Sequence, residues 1–388
     1  MRHTLPFWAL ASALALGTQV EAQNATAPGV DSLEISGSFR LRGETRIPDT
    51  GSSTRTYGAR ARLRLDSQVD DFISAALELQ WNGSAGAAVG HQLHQGFFTL
   101  ADLFNVVDLQ VGRFEMKYGN QRMVSPLDWS NFGRSWDGAR FSHNAPDYNL
   151  DVFITKPVIM QGATGGATPN GNRNFNGLYY ERTIGDINTD FYFFNRQDGV
   201  RDDFTIGFLL DGAIEEYTWS AELAKQFGDS STVGADADGY ALALRTDTKL
   251  DGDFKVGLGF EYASGQDSSS DSTAFAPLFG FDHKYQGNMD LFGWTNLMDL
   301  AVRTGAPIDD NWGWYGDLHL FSQPEEEVAG ESFLGTEIDL GLKGHIGQNA
   351  MFWGGISHFI EGDDGATVSS GAALEDMTWL FAQVGVKF

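Results

Sequence analysis

Arginine recurs at every second position in TYGARARLRLDSQ, residues 56–68: Arg60, Arg62 and Arg64, with Ala59, Ala61, Leu63 and Leu65 filling the gaps. Arg40 and Arg42 repeat the spacing one segment earlier, in SLEISGSFRLRGE. A guanidinium is a permanent cation whose planar fork of donors matches a carboxylate two bonds at a time. Side chains two apart on a strand share a face, so these arginines form cationic columns suited to holding or passing anions. Bond-breaking chemistry has no comparable signal. The chain lacks a nucleophile elbow, a Walker loop and a dinucleotide fingerprint, and no carboxylate pair stands apart from the many others. His91 and His94 form an HQLH pair without a supporting carboxylate or cysteine in sequence, a weak metal signal. Glu325-Glu326-Glu327 and Glu361-Gly362-Asp363-Asp364 lack the EF-hand spacing and read as solvated charge rather than calcium ligands. No catalytic, metal or cofactor-binding residue is expected, and no enzyme.

The elements that position the arginines are strands. Glu34, Ser36, Ser38, Arg40 and Arg42 alternate with an apolar row of Leu33, Ile35, Phe39 and Leu41. In DFISAALELQW, Leu77, Leu79 and Trp81 oppose Glu78 and Gln80; in EYTWSAELAKQF, Tyr217, Trp219, Leu223 and Phe227 oppose Glu222 and Gln226. The dyad returns in DFKVGLGFEY, TEIDLGLK and WLFAQVGVKF. Segments of this length, apolar on one face and polar on the other, are the mark of a transmembrane β-barrel. Aromatics closing the apolar rows (Trp81, Tyr217, Phe227, Tyr262, Trp379) suit interfacial girdles. A secreted sandwich does not need so many strands with one wholly apolar face. The spacing predicts 16 to 18 strands, most consistent with 18, as a single all-β domain over residues 23–388. Short turns such as DGD at 251–253 would face the periplasm. Long Gly/Ser/Asp stretches such as GQDSSSDSTAFAPLFG and QGATGGATPNGNRN would form extracellular loops.

Ends and composition agree. Arg2 and His3, an apolar run from Leu5 to Leu16 and the small-residue site Val20-Glu21-Ala22 read as a signal peptide over residues 1–22. That run falls short of the roughly 20 residues a spanning helix needs. Export without a single cysteine leaves stability to packing and backbone pairing. Net charge is −26, unevenly spread: residues 31–150 carry 12 Lys/Arg against 14 Asp/Glu, and residues 151–388 carry 13 against 37. This disfavours nucleic acid as a partner and leaves the front of the chain as the seat of positive charge. Stacked like charges repel in a packed core; around a water-filled lumen the repulsion is screened and the cations are useful.

The stretch DLQVGRFEMKYGNQRMVSPLDWSNFGRSWDGARF, residues 108–141, resembles the alginate-export family of outer-membrane porins. The likeness lies in Gly112-Arg113-Phe114-Glu115, Tyr118-Gly119 with Arg122, Asp128-Trp129-Ser130-Asn131, Gly133-Arg134 and Asp137-Gly138 with Arg140. SAELAKQFG, APLFGFDHKYQGNMDLFG and MFWGGISHFIEGD extend it over nearly the whole mature chain. The resemblance implies an 18-stranded barrel of a Gram-negative outer membrane, without enzyme activity, its narrow pore lined by arginines and carboxylates. It implies pore or pore-loop roles for Arg113, Arg122, Arg134, Asp137 and Arg140, beside Arg40, Arg42, Arg60, Arg62 and Arg64 assigned from alternation. The expected solute is an anionic oligosaccharide of polyuronate (alginate-like) type or another small organic anion. The other expected partners are outer-membrane lipid and the barrel assembly machinery, with the protein a monomer. The rival expectations are a general or cation-preferring porin, favoured by the acidic total, and a barrel enzyme acting on lipid.

Overall fold

A computed structural model describes residues 31–84, 90–158, 173–326, 332–362 and 374–388. The predicted signal peptide, most of QGATGGATPNGNRN, and Glu327, Asp363 and Asp364 of the acidic runs lie outside the described residues.

The alternation becomes 18 antiparallel strands: β1 (Ser32–Pro48), β2 (Thr54–Gln68), β3 (Ile73–Ser84), β4 (Gly90–Leu103), β5 (Val107–Phe114), β6 (Trp136–Asn144), β7 (Tyr148–Pro157), β8 (Arg173–Ile184), β9 (Ile187–Asp198), β10 (Arg201–Ile214), β11 (Tyr217–Asp229), β12 (Tyr240–Lys249), β13 (Lys255–Ala263), β14 (Leu297–Pro307), β15 (Trp312–Ser322), β16 (Phe333–Ile346), β17 (Ala350–Glu361) and β18 (Met377–Lys387). Each pairs with its neighbours in sequence, and β1 pairs with both β2 and β18, Ser38 opposite Lys387. The sheet is therefore a closed ring with no free edge, as a membrane demands. Among the described residues no helix is long and apolar enough to cross a bilayer; strands do the spanning.

Burial is inverted relative to a water-soluble sheet. Leu223, Leu258 and Leu340 are about half exposed, whereas Glu222, Glu261 and Glu337 on the same strands are buried. The apolar rows face outward toward lipid and the polar rows inward. Trp379 departs from the reading that placed it in a girdle. Directly paired with Arg46, it lies on the inner face, buried and stacked on Phe381 at 4.5 Å. It closes the row of Phe381 rather than that of Leu380, one position out of step with the apolar dyad.

The two ends of the ring differ. One carries short connections, including the 3₁₀ turn Asp251–Asp253; the other carries the long ones, among them segments 115–135 and 264–296. Both of these fold into the lumen and meet there. Ser125 N donates to Phe279 O at 2.9 Å, Phe279 N to Met123 O at 2.9 Å, and Phe281 N to Gln121 O at 3.1 Å. GQDSSSDSTAFAPLFG, read as an outer loop, thus ends inside the barrel. Two apolar clusters anchor these segments to the wall. Tyr118, Phe153, Tyr179, Phe194 and Phe275 belong to one; Trp129, Met289, Phe292, Phe359 and Phe381 belong to the other. Full burial of each large apolar side chain contributes about 1.5–3 kcal/mol, which offsets the entropy of ordering two long connections.

Candidate functional site: the arginine face and the segments it holds

The β1–β2 register sets Arg40 directly against Arg60, and Ser38 against Arg62. Arg42 and Arg64 extend the same inner face to either side. What these guanidiniums meet is the inward segment. Arg40 donates to the carbonyls of Asp128, Trp129 and Ser130 at 2.5–3.0 Å and to Asn131 Oδ1 at 2.8 Å. Arg60 bonds the Asp128 and Ser130 carbonyls at 3.0 and 3.1 Å and the Asp128 carboxylate at 2.7 Å. Arg42 is shared between the Trp129 carbonyl at 2.7 Å and Glu44 at 2.6 Å. The sharp turn at Asp128-Trp129-Ser130-Asn131 leaves several carbonyls with no strand partner, and the cations satisfy them. Two repelling arginines are tolerated because both are desolvated onto backbone dipoles, and Arg60 also onto the Asp128 carboxylate, rather than onto each other.

Arg62 lies deeper in a mixed cluster, bonded to Gln80 at 2.7 Å, Glu115 at 3.1 Å and His94 Nε2 at 2.8 Å. His94 sits where β4 carries a bulge against β3, while His91 is exposed. The carboxylates absent from the HQLH neighbourhood in sequence are supplied by Glu78 and Glu115, but Arg62 already stands among them. Gly133, at φ +68°, passes close over this cluster; a Cβ there would lie 2.7 Å from Arg62 Nη2. Arg64 is held by both oxygens of Asp66 at 2.7 Å.

The second arginine group is dispersed. Arg122 is buried against Glu261 and Glu222, its guanidinium 3.6 Å from the centre of the Tyr285 ring. Arg134 donates to Gly280 O at 2.7 Å; burial pushes its pKa down to about 10, with Asp282 opposing the fall. Arg140 faces inward, 3.7 Å from Asp151. Arg113 and Asp137 bond each other through both carboxylate oxygens at 2.7 and 2.8 Å, but on the outer face. Arg113 pairs with Gly96, Gly96 with the exposed Leu77, and Asp137 with Lys156, which is two positions from the exposed Ile154 on the same strand. Directly paired residues share a face, so this pair stands apart from the lumen-facing set. Its neighbours Phe114 and Trp136 take the inward positions, both fully buried.

Among the described residues, a run of adjoining cavities opens beneath the inward segments at the short-turn end. One, about 890 Å³, is rich in Asp147, Glu181, Asp190 and Asp211. Another, about 550 Å³, runs past Arg122, Arg245 and Asp247. A further one, about 900 Å³, is lined by Arg245, Lys249, Lys284, Arg303 and Lys343, with Tyr315 and Trp353 among them. Burial lowers Lys284 to about 8, and the nearby Arg122 and Arg245 add to the fall. The sequence reading missed these cations. Arg245 and Arg303 carry the same signal as the front arginines, since Ala241, Ala243 and Arg245 alternate with Leu242 and Leu244, but the acidic total of the second half masked it.

A family model described as Alginate export matches residues 32–364. Solved structures give the same architecture. Acinetobacter baumannii OccAB4 superposes with a TM-score of 0.70 at 12% identity, over 93% of this chain and 100% of its own. OccAB3 of the same organism gives 0.72 at 11%, over 92% and 99%. Pseudomonas aeruginosa OccK5 (OpdH) gives 0.68 at 14%, over 93% and 100%. At such identities the likeness is one of fold. No curated protein matches the chain in sequence.

Proposed function

The chain belongs to the alginate export family, and from this we propose that the barrel is a passive outer-membrane channel for an anionic oligosaccharide of polyuronate type or another small organic anion. The observation that carries the anion reading is the shared inner face of Arg40, Arg42, Arg60, Arg62 and Arg64. Arg40, Arg42 and Arg60 hold segment 115–135 across the lumen; Arg42 and Arg60 also pair with Glu44 and Asp128, whereas Arg40 meets only carbonyl and amide oxygens, and its charge biases the narrowed passage toward anions. Arg245, Lys284, Arg303 and Lys343 line the vestibule below beside Asp247, Asp253, Asp309 and Asp317; Arg245 and Arg303 share Asp247, which keeps these sites weak, so that a solute can leave as well as enter.

Planar-bilayer recording under a salt gradient tests this. The expected result is a reversal potential of anion preference that moves toward cations when Arg40 and Arg60 become alanine. Cation preference in the wild type, unmoved by those changes, overturns the anion reading and favours a cation-preferring porin.

A further inference from the structure

On the other side of the chain's charge asymmetry, β14, β15 and β16 turn Asp299, Asp317, His319, Glu337 and Asp339 into the lumen. Asp317 and Asp339 are direct cross-strand partners, as are His319 and Glu337. Two carboxylates facing each other across a ladder repel, and burial sharpens the penalty because water cannot screen it. Asp299, Glu337 and Asp339 are each at most 1% exposed. Backbone amides relieve part of this: Met289 N donates to Glu337 Oε1 at 2.9 Å and Asn288 N to Asp339 Oδ2 at 3.2 Å. Asp339 Oδ1, Glu337 Oε2 and Asp299 Oδ1 are buried with no hydrogen-bond partner. The nearby cations are engaged elsewhere, Arg303 on Asp247 at 3.3 Å and Lys343 over the Trp353 ring at 3.8 Å.

One oxygen each of Asp317 and Asp339 and one ring nitrogen of His319 lie within 4.8 Å of one another. His319 Nδ1 is 2.8 Å from Asp299 Oδ2. A proton on Nδ1, donated to that carboxylate, leaves the lone pair on Nε2. Carboxylates commonly fix ligating histidines in this way. We infer that Asp317, His319 and Asp339 bind a divalent cation of the zinc class, with Asp299 orienting the histidine. One imidazole with two carboxylates suits Zn²⁺, which takes nitrogen and oxygen donors at about 2.0–2.2 Å and keeps a fourth position for water or solute. Calcium, which asks for six or more oxygens, is served less well. The other histidine–carboxylate group, Glu78, His94 and Glu115, differs because the Arg62 guanidinium occupies its centre. The ion would neutralise the facing carboxylates and tighten the strand pair on which residues 288–289 hang.

The test uses tag-free, detergent-solubilised barrel stripped with EDTA and titrated with Zn²⁺ alone, followed by calorimetry and elemental analysis. One ion per chain at micromolar affinity or better is expected, with a raised unfolding midpoint. His319→Gln and Asp317→Asn should each weaken binding at least tenfold, and His94→Gln should not. Absence of binding in the wild type, or binding indifferent to His319→Gln, overturns the site. Should a variant fail to show the heat-shifted gel mobility of a folded barrel, X-ray absorption on the zinc-loaded wild type decides. A shell with one imidazole among oxygens that persists in His94→Gln supports the assignment, and one without imidazole, or lost in His94→Gln, refutes it. None of these readouts involves conduction, so they stand apart from the channel reading.

Discussion

Arg42 grips Trp129 twice: its guanidinium lies 3.9 Å from the centre of the indole ring, and its Nη1 donates to the same residue's carbonyl at 2.7 Å. Trp129 is in turn stacked on His283 at 3.8 Å and set edge-on to Phe381 at 5.6 Å. One side chain therefore ties segment 115–135 to β1, to β18 and to segment 264–296.

Trp129→Ala should release that segment. Loss of a buried Trp costs about 3–5 kcal/mol, enough to detach the 127–131 turn without unfolding the ring. Single-channel recordings should show larger and noisier conductance, and limited proteolysis should newly cut within 115–135. Unchanged conductance and protection would refute the anchoring role.

The arginines should differ in their effect on selectivity. Arg64 is neutralised by both oxygens of Asp66, whereas Arg40 meets backbone carbonyls and one amide oxygen. Arg40→Ala should therefore move the reversal potential toward cations by several millivolts or more, and Arg64→Ala hardly at all. Equal shifts would mean that summed charge matters more than placement.

Asp282 gives the docked segment a pH dependence. Burial raises its pKa from 3.8 to about 6, against the pull of Arg134. The folded state thus binds this proton more tightly, so its contribution to stability is complete below about pH 4 and lost as pH rises through 6. The difference is at most on the order of 3 kcal/mol. Asp282→Asn should protect segment 264–296 in hydrogen exchange most at neutral pH, with the advantage over wild type vanishing near pH 4. An advantage that grows toward acid would contradict the sign.

Gly287 is a steric hinge for the same segment. Its φ is +78°, and a Cβ would lie 2.6 Å from the Glu337 carboxylate. Gly287→Ala should displace the Met289 amide from Glu337 and destabilise docking by about 1–3 kcal/mol. Faster exchange at Asn288 and Met289 is the expected signature.

Leu340 reports the membrane face. It is half exposed between the buried Asp339 and the inward Gly341. Leu340→Arg should cost about 2–4 kcal/mol in lipid if it lies near the midplane. Reversible unfolding from vesicles measures this, and a neutral result would place Leu340 near an interface.

Much of the ring was legible because a barrel writes its topology into a period of two. In β16, Ile338, Leu340 and Leu342 set against Glu337 and Asp339 are enough to orient the strand. Trp379 escaped because one large aromatic at a row's end fits either phase. The same limit applied to Arg113 and Asp137: their motif spacing says nothing of which face they take, and only the register with Gly96 and Lys156 does. The partners of Arg122, Glu222 and Glu261, are brought to it by the inward course of segment 115–135. That course is fixed by backbone hydrogen bonds at 121–125 and 279–281, which leave no mark on side-chain type.

The pairing of Ser38 with Lys387 has a price in assembly. Until β18 meets β1, the growing chain exposes two raw borders, each able to recruit a neighbouring molecule instead of its own far terminus. Contacts between strands so remote in sequence form slowly, so the unfinished wall must be shielded in transit and zipped up where lipid is already at hand.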